Sequence, residues 1–165
     1  MTEEAKTTEH NTPSETHHMT IPWQDFAVDQ DAQIKHARVK ARSSVVGRIG
    51  IMMLSCGTGA WRVRDAMNTV ARVLDLICSA DIGLTTINYT CFDEGHSYSQ
   101  ILSLPNTGVN TEKLFVLETF VKQFEKKYSH LSIKEIHQKL DKIQQAPGHY
   151  SPAIKIGRAS CRERV

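Results

Sequence analysis

Long apolar runs are missing from this chain, and no stretch approaches the roughly eighteen residues that a membrane-spanning helix requires. Cysteine is also scarce, with four in 165 residues and no CxxC pair, which argues against a disulfide framework or a cysteine-based zinc site. We expect Cys56, Cys78 and Cys91 to be buried free thiols. The Gly-x-Ser-x-Gly nucleophile elbow and the complete Gly-x-Gly-x-x-Gly nucleotide fingerprint are absent too. No motif therefore indicates a common hydrolase or a dinucleotide-binding protein.

The last ten residues, 156–165, resemble a sequencing-library adapter translated in one frame rather than natural protein sequence. They carry three arginines against one glutamate, so removing them lowers the formal net charge from +2 to 0. A neutral chain gives no reason to expect a nucleic-acid partner. We therefore interpret residues 153–165 as a truncated junction followed by an adapter-derived tail.

Residues 1–37 are predicted to form a disordered polar tail, because they contain too little apolar surface to offset the entropy of ordering. Trp23 and Phe26 are apolar exceptions that could dock weakly elsewhere. His10, His17 and His18 lack a cysteine or carboxylate spaced to complete a metal site, so neither a metal nor a cofactor is expected. No signal peptide is recognisable, and we expect the chain to begin in the cytoplasm. One domain over residues 38–152 remains.

A glycine-rich break at residues 53–65 separates two amphipathic segments. Gly57 and Gly59 free the backbone there, and the Thr58 hydroxyl is placed to cap the helix that follows. A first helix is predicted over residues 39–55. The second is predicted from about 59 to 77, since apolar residues recur at three- and four-residue steps: Val63, Met67, Val70, Leu74 and Ile77.

Residues 81–92 are rich in β-branched and aromatic side chains and predict one strand. A second strand is predicted over 98–104, joined to the first by the Asp93-Glu94-Gly95-His96 turn in an antiparallel hairpin. The acidic pair and His96 also suggest a catalytic cluster, but a polar turn accounts for them more simply.

Two further helices follow the hairpin. Asn110 is placed as the N-cap of the third, whose core face comprises Leu114, Leu117, Val121, Phe124 and Tyr128. Ser132 and Glu135 have capping-box spacing at the start of the fourth, on which His137 is predicted to be solvated. The fold class is therefore α+β, in the order helix-helix-strand-strand-helix-helix.

The pattern Leu-x-x-Gly-x-x-x-x-Arg-Val at residues 54–63, followed by an amphipathic helix, resembles the start of the N-terminal domain of the threonine/serine exporter family. Further matching segments are residues 87–92, Gly108-Val109-Asn110, Lys113-Leu114, and Pro147 with Tyr150. The resemblance runs from about Ser44 to Pro152.

This resemblance implies a cytoplasmic domain that precedes a bundle of membrane helices in bacterial inner-membrane exporters. The solutes would be threonine and serine or, as in the related inner-membrane succinate exporter subunit, small dicarboxylates. The membrane helices would begin soon after Pro152 and are missing from this chain, which would then be a fragment. Expected partners are the solute, the membrane, and a second membrane subunit or further copies of the chain. No enzymatic activity is expected.

Arg62, Arg64 and Asp65 are the predicted functional residues, in contact with anionic groups of the solute or of the membrane half. The alternative is an ion-pair cluster that orients the first two helices. Four residues are predicted to be structural: Gly57, Gly59, Gly108 and Asn110. Two other functions stay open, a stand-alone cytosolic interaction module that pairs through its hairpin edge and a small hydrolase-like enzyme.

Overall fold

The computed structural model describes residues 21–26 and 29–146, which form four α-helices and one antiparallel sheet. The predicted α+β class is confirmed. No helix among the described residues is both long and apolar enough to cross a bilayer. The elements in chain order are α1 (Val39–Ser55), α2 (Ala60–Val73), β1 (Ile77–Ile82), β2 (Thr86–Asp93), β3 (His96–Ser103), α3 (Thr111–Gln123) and α4 (Ile133–Gln145). A π-helical turn, Phe124–Tyr128, continues α3.

The sheet has three strands in the order β1-β2-β3, so the prediction of two strands is wrong. The predicted second helix ends at Val73 rather than Ile77. Asp75 adopts a left-handed conformation with φ of 56° and redirects the chain, and Ile77 then opens β1. The residues predicted as one strand divide at a tight turn, in which the Gly83 amide donates to the Thr86 carbonyl at 2.8 Å.

Helix α1 lies at the centre of the core, and every residue from Ala41 to Leu54 is buried. The sheet approaches this helix at Gly47, where a Cβ atom would lie 2.2 Å from the Tyr89 hydroxyl oxygen. Helix α2 approaches it at Gly50, where a Cβ atom would lie 2.5 Å from the Met67 sulfur. The two glycines therefore set how closely both layers pack on α1.

The glycine-rich break connects α1 to α2 along the chain and contacts the loop that precedes α3. Gly57 has φ of +83°, and a Cβ atom there would lie 2.7 Å from the Gly108 carbonyl oxygen. The Asn110 amide donates to the Cys56 carbonyl at 3.1 Å, and the Asn110 side chain caps α3 by accepting from the Lys113 amide at 3.0 Å. The predicted Thr58 cap is wrong, because Gly59 is the N-cap residue of α2 and no described side chain caps that end.

The segment before α1 is folded where the structure describes it. Trp23 and Ile34 are buried, the Ile34 amide donates to the Leu131 carbonyl at 2.9 Å, and Gln33 forms an isolated bridge with Ser132. The disorder predicted for residues 1–37 is therefore wrong for 21–26 and 29–37, because a few well-placed apolar residues suffice when a preformed core receives them. Residues 1–20, with His10, His17 and His18, lie outside the described residues, as do the predicted junction and tail.

Candidate functional site

Arg48 is a charged residue in the middle of α1 and is only 2% exposed. A buried guanidinium requires acceptors, and α4 supplies all four that Arg48 has among the described residues. Nη1 donates to Nδ1 and to the carbonyl oxygen of His137, at 3.1 and 3.2 Å. Nη2 donates to the Asp141 carboxylate and, at 3.1 Å, to Oε1 of Gln144. Nε is buried and has no partner among the described residues.

The protonation state of His137 follows from these contacts. An arginine can only donate, so Nδ1 of His137 accepts and the ring proton resides on Nε2. Nε2 lies 3.2 Å from Oγ of Ser44, which donates its own proton to the Ala41 carbonyl at 2.6 Å. Burial, assisted by the positive charge of Arg48, lowers the pKa of His137 to about 4. The prediction that His137 is solvated is wrong, because the residue is 8% exposed.

Trp23, in the segment that precedes α1, packs over the side chains of Arg48 and His137. Its ring stacks on His137 with centroids 6.2 Å apart and planes at 25°, and Cζ of Arg48 lies 5.5 Å from the Trp23 ring centroid. The segment predicted to be a disordered tail thus contributes directly to the environment of the buried cation.

A cavity of about 640 Å³ opens beside Arg48, between α1, the segment after β3 and the facing ends of α3 and α4. In the described part of the chain, three charged side chains line it: Arg48, Lys113 and Asp141. Apolar side chains, including Ile51 and Met52, form part of its wall. The volume lies within the range of small-molecule sites, and an apolar wall with a few convergent polar groups is typical of them.

Several groups in this cavity keep hydrogen-bonding capacity beyond their bonds to other described residues. Lys113 Nζ donates to the Gln144 carbonyl at 2.9 Å, which uses one of its three N–H donors. Ser55 Oγ donates to the Met52 carbonyl at 2.6 Å, so its lone pairs can still accept. One oxygen of Asp141 is paired with Arg48, and the second can accept from a bound cation. The cavity can therefore present a positive group, the Lys113 ammonium, and a negative group, the Asp141 carboxylate, to one small ligand.

The structure places the predicted site residues elsewhere, on the outer surface of α2. Arg62 reaches across to α3 and lies 3.6 Å from Glu118, with both side chains substantially exposed. Arg64 Nε donates to the Ala80 carbonyl at 3.3 Å, and Asp65 is exposed. None of the three lines the cavity beside Arg48.

Asp93, at the turn between β2 and β3, forms an ion pair that holds the hairpin to α1. The Asp93 carboxylate pairs with the buried Arg42, which also donates to the Ala37 and Leu74 carbonyls at 2.8 Å each. The hydrogen bond from Arg42 holds the pKa of Asp93 below its usual range. The Glu94 amide donates to Asp93 Oδ1 at 2.9 Å within the turn. Among the described residues, no group of three His, Cys, Asp or Glu side chains is placed to hold a metal ion.

The Arg48 network was not anticipated from the sequence. One signal was available, since Arg48 interrupts an otherwise apolar run between Val45 and Leu54, and a charge at such a position is seldom buried without a partner. A second signal was the spacing of His137, Asp141 and Gln144, which places all three on one face of a helix.

In a comparison with protein families, the chain matches the family described as "Putative threonine/serine exporter" over residues 44–161. This chain belongs to the threonine/serine exporter family. The resemblance predicted from the motif at residues 54–63 is thereby confirmed. No curated protein and no solved structure matches the chain.

The exporter-family match begins in the second turn of α1 and extends beyond α4. It therefore includes Arg48, Lys113 and Asp141, the three charged residues of the cavity, as well as the predicted site residues on α2. The match also overlaps residues 156–161, whose resemblance to an adapter stays a prediction.

Proposed function

We propose that this chain is the cytoplasmic N-terminal part of a bacterial inner-membrane exporter of threonine, serine or a small dicarboxylate, and that its membrane helices follow the folded domain. Membership of the exporter family over residues 44–161 supports the class of protein. The main support for the role of this domain is the cavity whose wall includes Lys113, Arg48 and Asp141. We assign the domain the task of recognising the solute, with no catalytic step.

The free donors and acceptors of the cavity match the groups of threonine and serine. The two unused N–H groups of Lys113 would bind the carboxylate by charge-assisted hydrogen bonds. The second oxygen of Asp141 would accept from the ammonium group, and Ser55 lies in the same cavity to receive the hydroxyl. A dicarboxylate would bring a second anion towards Asp141 instead of an ammonium group. Repulsion at Asp141 therefore favours an amino acid over a dicarboxylate.

Calorimetric titration of the chain with L-threonine, L-serine and succinate tests solute recognition. We expect Lys113→Met to weaken binding of the amino acids by about tenfold or more, the usual loss for one charge-assisted hydrogen bond. Lys122→Met is the matched control, since Lys122 is an exposed lysine on the same helix. Tighter binding of succinate would assign the dicarboxylate. Binding that is equal in both variants would contradict the assignment of this cavity.

Sequencing the gene through Lys155 and beyond tests the exporter assignment independently of binding. Apolar segments of about twenty residues are expected after the folded domain. An in-frame stop codon that follows a genuine arginine-rich tail would contradict the proposal for this chain.

The second candidate function is a stand-alone interaction module. It is favoured by the open edges of the sheet, since β1 and β3 each pair on one side alone among the described residues. The Leu104 amide donates to the Thr85 carbonyl, and the alternation of the ladder then directs the backbone of Ser99 away from β2. Ser99→Pro would remove an outward N–H group and block pairing at this edge. Loss of a partner from that variant, with unchanged solute binding, would support this function.

A further inference from the structure

An exposed apolar face lies on the side of the domain formed by α3 and α4. Two adjoining hollows of about 330 and 200 Å³ run between the helices and share Val116, Lys142 and Ile143 in their walls. Phe115 stands at the larger hollow and is 69% exposed. An exposed phenylalanine beside a partly apolar groove is typical of a surface that contacts a protein, a ligand or a membrane.

Lysines surround this face. Lys113, Lys139 and Lys142 line the two hollows, whereas Glu112 is the single acidic residue among the described side chains of the lining. Lys139 places its ammonium 5.7 Å from the Tyr128 ring centroid, next to the larger hollow. The combination of exposed apolar side chains with positive charge around them is complementary to an anionic phospholipid surface, which offers negative headgroups above an apolar layer.

The position of the end of α4 also favours a phospholipid surface as the partner of this face. Helix α4 ends at Gln145, and Ala146, the last described residue, lines the smaller hollow. If membrane helices follow, as the proposed function holds, they leave the domain beside this face. We propose that the α3–α4 face, defined by Phe115, Val116, Lys139, Lys142 and Ile143, rests on a bilayer leaflet that contains anionic phospholipids.

Co-sedimentation of the chain with vesicles tests this contact without requiring transport. Vesicles of phosphatidylcholine alone are compared with vesicles in which about a third of the lipid is phosphatidylglycerol. We expect the partition coefficient to rise with the anionic lipid and to fall as salt is added, because the surface potential decays within the Debye length. Equal partition into both vesicle types, or none into either, would overturn the proposal.

Variants then locate the contact on the domain. Phe115→Ser is expected to weaken partition into both vesicle types, since it removes an inserting ring. Lys139→Gln and Lys142→Gln are each expected to lower partition into the anionic vesicles by about fivefold. The matched controls are Leu84→Ser, at an apolar residue that is 91% exposed in the β1–β2 turn, and Lys35→Gln, at an exposed lysine before α1.

Two outcomes separate this inference from the proposed function. Wild-type partition in the Phe115→Ser and lysine variants would place lipid binding elsewhere on the chain, for example in the basic residues 158–164, and would overturn the inference. Absent vesicle binding combined with retained solute binding would overturn it as well and would leave the solute-binding role of the cavity intact. Thermal melting of each variant verifies that the fold is kept.

Discussion

Nη1 of Arg48 lies 3.1 Å from Nδ1 of His137, so a buried cation donates to a ring that must stay neutral to accept. Protonation of His137 would turn this contact into a repulsion between two positive charges inside the core. The network therefore has a preferred protonation state, and its effect on stability can be measured.

Stability is expected to fall as the pH is lowered from about 6.5 to 4. The pKa of His137 is about 4 in the fold and 6.5 in the unfolded chain, so the unfolded chain binds more protons in this window. The stabilisation is fully present above pH 6.5 and is lost towards pH 4, by about 3 kcal/mol over the window. Urea unfolding at several pH values measures it. His137→Gln should flatten the dependence, whereas His130→Gln, at an exposed histidine, should leave it unchanged.

Replacing Arg48 should cost far more stability than replacing Arg62. Arg48→Met removes a buried cation with four acceptors, and we expect a loss of about 3 kcal/mol in the free energy of unfolding. Arg62→Met breaks an exposed pair 3.6 Å long and should change that free energy by less than about 1 kcal/mol. Chemical denaturation of both variants provides the comparison. Similar losses would mean that the α2 surface is as strongly coupled to the fold as the α1–α4 network.

The contact between Gly47 and Tyr89 should make a single methyl group destabilising. In Gly47→Ala the new Cβ atom would lie 2.2 Å from the Tyr89 hydroxyl oxygen, which is itself within hydrogen-bond distance of the Ser43 carbonyl and of Gln100. Helix and strand must then separate, at a cost of about 2 kcal/mol or more. At Gly108, no atom of the residues that the structure describes lies within 4 Å of the Cβ position, so Gly108→Ala serves as the control. A melting temperature that is equally lowered in both would refute the packing argument.

Oxidation should link Cys78 to Cys91 within one chain. The two residues are partners in the β1–β2 register, and the Gly83–Thr86 hydrogen bond places them, by alternation, in a non-hydrogen-bonded pair. Such pairs have Cα atoms about 4.5 Å apart, at the short end of the disulfide range. Peptide mapping by mass spectrometry after treatment with diamide identifies the link. Cys56→Ser should still form it, and a disulfide to Cys56 in the wild type would contradict the register.

Local signals in the sequence were sufficient for several elements. The capping box of Ser132 and Glu135 is present at α4, and the 93–96 turn contains Gly95 at φ of +83°, since each depends on neighbours within four residues. Leu117, Val121 and Phe124 are buried on the predicted face of the third helix. Short-range periodicity and turn chemistry therefore recovered most of the helices.

The errors occurred where distant residues decide the outcome. Ile77 continues the apolar spacing of α2 and could belong to that helix by periodicity alone. The chain reversal at Asp75 ends the helix before it, and Ile77 begins β1. Arg48 meets partners 89 to 96 positions further along the chain, so no local pattern identifies them. His137 is followed in sequence by Gln138 and Lys139, which suggested exposure, yet it packs against Trp23. The candidate cavity is a property of the tertiary fold, and the sequence offered only the unusual placement of Arg48 as a sign of it.

Ile21 and Gln145, near the two ends of the described chain, both line the cavity beside Arg48. The cavity wall therefore includes residues from the first and from the last described portion of the chain. A ligand bound in this cavity would touch both portions at once and so hold the segment before α1 against the end of α4.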